Sequence, residues 1–429
     1  MHTPKLILLA ALLLHLFTAS AQEQPDIKLS CEEIETLFLQ NNLELIAEKY
    51  NIDIADAAII QARLWDNPTL SISNVNLWST KAQEREINDP PHNSFLKNTE
   101  FSIELSQIIQ TANKRGKLIR REKVAKEIAQ QEFEDVLRGL KTELRKSVYE
   151  IQYAQAYIDV LVNQQNSTNP LVEAYKKQVQ QGNMAKGELL RLQSSLLELE
   201  NEINGLRMEL AQQEKTLKVL LNMSPQTRIE ILDKPHKEKN PEQLTLSDLL
   251  QQADEYRPDM KQYRLQTQFH RKSLEYEKSL RTPDVTLSAN YDRYGGVWKD
   301  FVGFGVSIDL PFLNRNRGNI KAVQLSIAQN LSREQQQQNI ILHEVAAAYN
   351  NYTQTYRFYK KIEENSLLPE LDTMLELYTK NLLNKNISML EYVDFMEAYR
   401  SNKQTVLSAK KELTMQFEEL QYLVGTDIQ

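Results

Sequence analysis

The strongest constraint on this chain is that its layout is written twice. Residues 29–223 read as a short helix, a longer helix, two strands and two very long helices, and residues 244–425 read the same way. An offset of 215 sets Leu29-Ser30 on Leu244-Thr245, Asn67-Pro68-Thr69-Leu70 on Thr282-Pro283-Asp284-Val285 and Ser73 on Ser288. An offset of 203 then sets Phe101 on Phe304, Tyr149 on Tyr352, Tyr153 on Tyr356, Tyr175 on Tyr378, Glu188 on Glu391 and Gln213 on Gln416. The identities are sparse, and the order of elements is the stronger signal. A doubled unit that mixes barrel-type strands with very long helices points to a pseudo-symmetric tube.

The strands carry the second constraint. Segments 68–78, 99–107, 284–294 and 302–310 are expected to be strands. In the second, Thr99, Phe101, Ile103 and Leu105 alternate with Glu100, Ser102 and Glu104. In the third, Val285, Leu287, Ala289 and Tyr291 alternate with Thr286, Ser288, Asn290 and Asp292. In the fourth, Val302, Phe304, Val306 and Ile308 alternate with Gly303, Gly305, Ser307 and Asp309. A period of two over about ten residues describes a strand with one apolar and one polar face. Trp78, Tyr291, Tyr294 and Trp298 fall near strand ends, where aromatic belts meet a membrane interface. A half-buried sheet of a soluble protein has the same alternation. If the strands face lipid, however, two hairpins (68–107 and 284–310) are too few to close a barrel, and every edge in lipid must be paired. Several chains must then share one barrel. With about eight strands as the smallest common size, two chains are the lower bound and three would give twelve.

The helices are long. Residues 29–41 and 44–64 precede the first hairpin. Residues 113–181 read as one helix of about 100 Å with a kink at Asn169-Pro170, and 186–221 return. In the second half 319–384 goes out and 388–423 comes back. The returning helices carry heptads: Leu189, Leu192, Leu196, Leu199, Ile203, Leu206, Leu210, Leu217 and Leu220, then Tyr392, Phe395, Tyr399, Val406, Ala409, Leu413, Leu420 and Leu423, broken at Gln213 and Gln416. That spacing is a coiled-coil seam, and these residues are read as core. The expected division is a signal peptide at 1–21, a first repeat at 22–223, a connector at 224–243 and a second repeat at 244–429.

The N-terminus reads as a secretory signal, with Lys5, an apolar stretch from Leu6 to Phe17 and small residues at Ala19-Ser20-Ala21. An uncleaved anchor is the alternative. Cys31 is the only cysteine; it lies beyond the apolar stretch, does not resemble a lipidation site and cannot form an internal disulfide. Beyond residue 21 no apolar run is long enough for a spanning helix. The net charge of -7 argues against a nucleic-acid partner, which would select a basic face.

Catalytic motifs are absent, so no enzyme activity and no cofactor are expected: the chain has no glycine-rich phosphate loop, G-x-S-x-G, H-E-x-x-H or Cys pair. His92, His236, His270 and His343 lack ligand spacing, and no metal site is expected. The sharper constellation lies at the two helix turns, Gly182-Asn183-Met184-Ala185-Lys186-Gly187-Glu188 and Lys385-Asn386-Ile387-Ser388-Met389-Leu390-Glu391. Each puts a carboxylate in the first turn of a returning helix, where the helix dipole favours it. Asp394 follows Glu391 by three residues on the same face, and Arg191 holds the matching place after Glu188, which suggests a pair across the turns. In a tube these carboxylates would ring one opening and select cations. Plain helix capping is the competing reading.

The doubled helix–hairpin–long-helix layout, the leader and the acidic turns resemble the TolC family of outer-membrane efflux channels over essentially the whole mature chain. Leu105-Ser106-Gln107-Ile108-Ile109 with Asn113-Lys114-Arg115-Gly116, and Leu310-Pro311-Phe312-Leu313-Asn314-Arg315-Asn316-Arg317-Gly318-Asn319-Ile320, resemble the strand-to-helix passages of the branch that includes CzcC and CusC. The resemblance implies a mainly α fold with a small membrane β component: an α-barrel of long antiparallel coiled-coil helices, plus four strands given to a twelve-strand barrel shared by a homotrimer. It implies a place in the outer membrane of a Gram-negative bacterium with a large periplasmic part. It further implies outer-membrane lipid around the barrel, a periplasmic adaptor and an inner-membrane RND-type pump as partners, and passive export of a heavy-metal cation or drug. It maps the periplasmic gate onto Glu188, Glu391 and Asp394, and adaptor contacts onto Gly182, Asn183, Met184, Asn386, Ile387 and Ser388. Family gates often hold an Arg shortly after the second-turn Gly; here the turn has Lys385 and Ile387 instead, with Lys186, Arg191 or Lys385 as candidates for that role. The alternative function is a periplasmic coiled-coil adaptor without a membrane barrel.

Overall fold

The computed structural model describes residues 27–76, 100–232, 238–293, 297–298, 300–364 and 367–428. The expected signal peptide, Trp78, Tyr294, the 79–98 loop, His92 and His236 lie outside these. The elements run β1 (Ile27–Leu29), α1 (Cys31–Asn41), α2 (Leu43–Arg63), β2 (Thr69–Asn76), β3 (Glu100–Ile109), α3 (Lys114–Gln180), α4 (Lys186–Leu220) and β4 (Ile229–Ile231). After a 3-10 turn at Pro241–Gln243 come α5 (Leu246–Tyr256), α6 (Pro258–Ser279), β5 (Val285–Arg293), β6 (Phe301–Ile308), α7 (Arg317–Glu363), α8 (Leu367–Leu383) and α9 (Met389–Val424). The fold is mainly helical with a small strand component. The described residues form two compact units, one from the stretches 48–134 and 258–339, the other from 27–47, 135–257 and 340–428.

The first of these holds an antiparallel sheet in the order β2-β3-β5-β6. Its register sorts the side chains. Ser71 opposes Glu104, Glu104 opposes Asn290, and Asn290 opposes Gly303. One residue along, Leu70, Leu105, Ala289 and Phe304 form the next row across the same strands. Directly opposed residues share a face, so one face is polar and small and the other apolar. The apolar face lies open: Leu70 and Ile72 are each 63% exposed and Phe304 is 87% exposed. Gly303 and Gly305 are small for a local reason. A Cβ on Gly305 would stand 2.6 Å from Ser288 Oγ, and one on Gly303 would stand 2.5 Å from Asn290 Oδ1. The outer edges of β2 and β6 find no strand partner among the described residues.

Where strands pass into helices, the chain is pinned. Before α3, Lys114 is buried and its Nζ lies 2.6 Å from Asp284 Oδ1. The Thr111 N–H donates to the same carboxylate at 2.8 Å, and its hydroxyl donates to the Pro283 carbonyl at 2.5 Å. The Arg115 guanidinium stacks 3.9 Å from the Trp65 ring centroid. Before α7, Asn316 Nδ2 donates to the Glu277 carbonyl at 2.9 Å and to its carboxylate at 2.6 Å. Asn113 and Asn316, related by the offset of 203, both take left-handed backbone, with φ of 54° and 51°.

In the other unit, Ser30 caps α1 with Glu33 in a reciprocal box. Asn42, buried between α1 and α2, donates from Nδ2 to the Leu220 carbonyl at 2.9 Å and accepts from the Leu45 N–H at 2.9 Å. One side chain thus serves the end of α4 and the start of α2. Residues 27–29 pair in parallel with 229–231, so part of the 224–243 connector is a strand. Its three-residue length hides it from any periodicity. Further on, the Tyr352 hydroxyl donates to the Lys239 carbonyl and Tyr349 donates to Leu244 at 3.1 Å. The heptad leucines of α4 are core: Leu192, Leu199 and Leu217 are buried, as are Tyr392, Tyr399, Leu413 and Leu420 of α9.

A buried ionic node ties α1, α3, α9 and the C-terminal segment together. Arg145 reaches Glu35 at 2.7 Å, Glu418 at 3.0 Å and Asp427 at 2.8 Å. Tyr149 donates to Glu418 at 3.0 Å. Burial, reinforced by the Glu418 charge, pushes the Tyr149 phenol well above its ordinary range. Burial alone would raise the Asp427 carboxyl. The hydrogen bonds and charges of Arg145 and then Lys141 outweigh it and bring the group down to about 2.

One helix expectation changes. α3 runs as a single helix through Pro170, as expected. The 319–384 stretch instead holds two helices, with α7 ending at Glu363 and α8 starting at Leu367. Position 369 is proline, which fits the first turn of a helix and not its interior.

Candidate functional site

Both turns singled out in the sequence belong to the Arg145-containing unit, and the two are built alike. At the end of α3, the Gly182 N–H donates to the Val179 carbonyl at 3.1 Å and the Asn183 N–H to Gln178 at 2.9 Å. At the end of α8, the Lys385 N–H donates to Leu382 at 3.1 Å and the Asn386 N–H to Asn381 at 2.9 Å. Both are Schellman closures, which require left-handed backbone at the residue after the cap. Gly182 supplies it with φ of 76°, and Lys385 adopts it at 61°.

The helix starts differ. Ser388 caps α9, and the Glu391 carboxylate accepts from the Ser388 N–H at 2.7 Å and from its hydroxyl at 2.9 Å. These bonds hold the Glu391 carboxyl below its usual range. At α4 the cap position is Ala185, with no side-chain bond. Glu188 holds no hydrogen bond or ion pair through its carboxylate among the described residues. It stands near Tyr175, whose phenol is raised first by burial and then by the Glu188 charge. The capping reading thus describes Glu391, and Glu188 remains a solvent-facing carboxylate.

Lys186, Arg191, Lys385 and Asp394 are exposed. Arg191 and Asp394, read as partners across the turns, make no ion pair with each other among the described residues. Met184 and Ile387 are half-buried and pack on one apolar cluster with Leu189, Leu192, Leu382, Met389 and Tyr392. The two turns therefore share a floor, and Gly182, Asn183, Asn386 and Ser388 stand exposed above it. The stacking of Tyr378 on Phe395, 4.1 Å between centroids, stiffens the second hairpin just behind its turn.

At the sheet, Tyr291 is half-buried with its ring 6.0 Å from Phe101, and its hydroxyl donates to Asp300 at 2.7 Å. Trp298 is exposed. Phe101 completes this aromatic group, and its place on an alternating strand was the available signal. Among the described residues, no helix is long and apolar enough to cross a membrane and no His, Cys, Asp or Glu group has metal-site geometry.

Comparison with known proteins agrees with this architecture. Residues 36–223 and 249–426 match the outer membrane efflux protein family. Among solved structures, the CusC channel is 18% identical, with a TM-score of 0.68 over 92% of each chain. The Campylobacter jejuni CmeC outer membrane channel is 14% identical, with a TM-score of 0.73 over 93% of this chain and 86% of that one. The VceC outer membrane protein of Vibrio cholerae is 16% identical, with a TM-score of 0.71 over 93% and 97%. A search of curated proteins finds no significant match. At these identities the structures establish the fold, while the family match takes in both halves of the chain, which therefore belongs to the outer membrane efflux protein family and is an outer-membrane efflux channel protein.

Proposed function

We propose that the chain is one third of a passive export duct: three copies close a single twelve-strand barrel, and their long helices continue it as a periplasmic conduit. A periplasmic adaptor and an inner-membrane pump of the RND type would deliver cargo to it and supply the energy. The observation that carries this reading is the four-stranded sheet with an open apolar face and two edges that find no strand partner among the described residues. In lipid such edges must be satisfied, and only other copies can do so. The helix turns would form the entrance, with Glu188, Glu391 and Asp394 around it and Gly182, Asn183, Asn386 and Ser388 offered to the adaptor. Acidic groups at the mouth favour a cationic cargo, a metal ion or a cationic drug. The purified protein in mild detergent is expected to have the mass of a trimer by light scattering. A monomer recovered from the soluble periplasmic fraction would overturn the reading and favour a periplasmic adaptor.

A further inference from the structure

The two strand-to-helix passages are not equivalent. In the first, the cation is turned inward: Lys114 is buried and neutralised by Asp284. At the matching place of the second stands Arg317, exposed, with no ion pair among the described residues. Arg315, exposed and without an ion pair among the described residues, replaces Ala112. The apolar side differs too. Leu310 is 63% exposed, Phe312 71% and Leu313 fully exposed, where the first passage has Gln107, Ile109 and Gln110, all half-buried.

This segment is held in place. The Phe312 N–H donates to the Leu310 carbonyl at 2.9 Å, closing a tight turn. The Asn316 N–H donates to Asn314 Oδ1 at 3.0 Å, and the Asn316 amide is fastened to Glu277. Arg315 and Arg317 flank that fixed residue. The exposed apolar positions of β6 (Val302, Phe304, Val306 and Ile308) are followed directly in sequence by the exposed apolar residues Leu310, Phe312 and Leu313.

We propose that residues 310–317 anchor each chain to anionic phospholipid at the periplasmic leaflet. Leu310, Phe312 and Leu313 would sit at the acyl boundary, and Arg315 and Arg317 would hold the headgroup phosphate. The inference rests on the membrane-barrel reading above, because the strands' lipid face is what it extends. Apolar side chains followed within a few residues by guanidinium groups match the depth profile of a lipid interface: hydrocarbon first, phosphate next. Arginine suits that second layer, since its planar fork binds phosphate through paired hydrogen bonds. In the first passage Lys114 is paired with Asp284 and Arg115 is stacked on Trp65, so its cations are already engaged and each chain carries one anchor.

The test uses the full-length assembled protein extracted with a mixture of phosphatidylglycerol and phosphatidylethanolamine, with retained lipid read by native mass spectrometry. The wild type is expected to retain phosphatidylglycerol preferentially. R315Q with R317Q is expected to lower that preference about 25-fold, each surface cation contributing roughly a factor of five, while R207Q on α4 leaves it unchanged. An unchanged preference in an intact assembly overturns the anchor and leaves the channel reading standing. Displacement of the lipid by millimolar inorganic phosphate also overturns it, in favour of a free-anion site. Should the double variant fail to assemble, L313C in a C31S background, spin-labelled in vesicles, decides the matter. Greater collision with oxygen than with a water-soluble nickel chelate is expected, and the reverse overturns the proposal. Failure of the channel reading itself would show separately, as a monomer in the soluble fraction.

Discussion

At the residue scale, the two Schellman turns form a natural comparison. The same backbone bonds close both, yet one uses glycine and the other lysine. Left-handed backbone costs a non-glycine residue about 1 kcal/mol. Lys385→Gly is therefore expected to raise stability by about 1 kcal/mol, and Gly182→Ala to lower it by a similar amount. A Cβ at Gly182 would meet nothing within 4 Å, so the second cost is purely conformational. Thermal unfolding in detergent checks both, and a Lys385→Gly protein less stable than wild type would sink the argument. The Arg145 node makes a different statement. Glu418 is 2% exposed, and removing its cation strands a buried charge. Arg145→Met is expected to cost about 3–5 kcal/mol near neutral pH. Asp427 adds a pH dependence of known sign. Its carboxyl sits at about 2 in the fold, below its unfolded value near 4. Its stabilisation is complete above about pH 4 and is lost as pH falls from about 4 towards 2. A wild-type midpoint that stays flat across that window, relative to an Asp427→Asn variant, would contradict this.

At the scale of elements, the helix starts separate two kinds of carboxylate. Glu391 is drawn back onto the first turn of α9 by Ser388, where the helix's positive end offsets its charge. Glu188 and Asp394 face solvent without such partners. In planar bilayers, Glu188→Gln with Asp394→Asn is expected to reduce cation preference, read as a shift of reversal potential towards zero in a salt gradient. Glu391→Gln is expected to do less. An equal shift from Glu391→Gln alone would show that the capped carboxylate governs selectivity. The strands were readable because alternation survives intact in β3, β5 and β6, and the edge argument needed only their number. The coiled-coil seam was readable for the same reason. The β1–β4 pair was not, since three residues of parallel pairing between positions about 200 apart leave no local pattern. Nor was the Arg145 node: Glu35, Arg145, Glu418 and Asp427 are scattered through the chain, and each alone looks like a surface charge. The acidic turns were visible as motifs, but their sequences did not reveal that Ser388 would engage Glu391 while Ala185 left Glu188 free.

At the scale of the whole molecule, the doubled sequence yields two halves that are alike in layout and unlike in use. One half buries its junction cation and ends its outgoing helix in glycine. The other exposes its junction arginines, divides its outgoing helix and caps the return with serine. The edges of β2 and β6 carry a consequence for biogenesis. On the proposed closure, a single chain has no stable state within lipid, so insertion and assembly must be one kinetic event. Its rate would rise steeply with the supply of chains, and a chain with a spoiled β6 would poison its companions. If wild-type and spoiled chains were made in equal amounts and mixed at random, about one assembly in eight would escape. A cell could therefore lose most of its efflux capacity through a defect in half of the copies it makes.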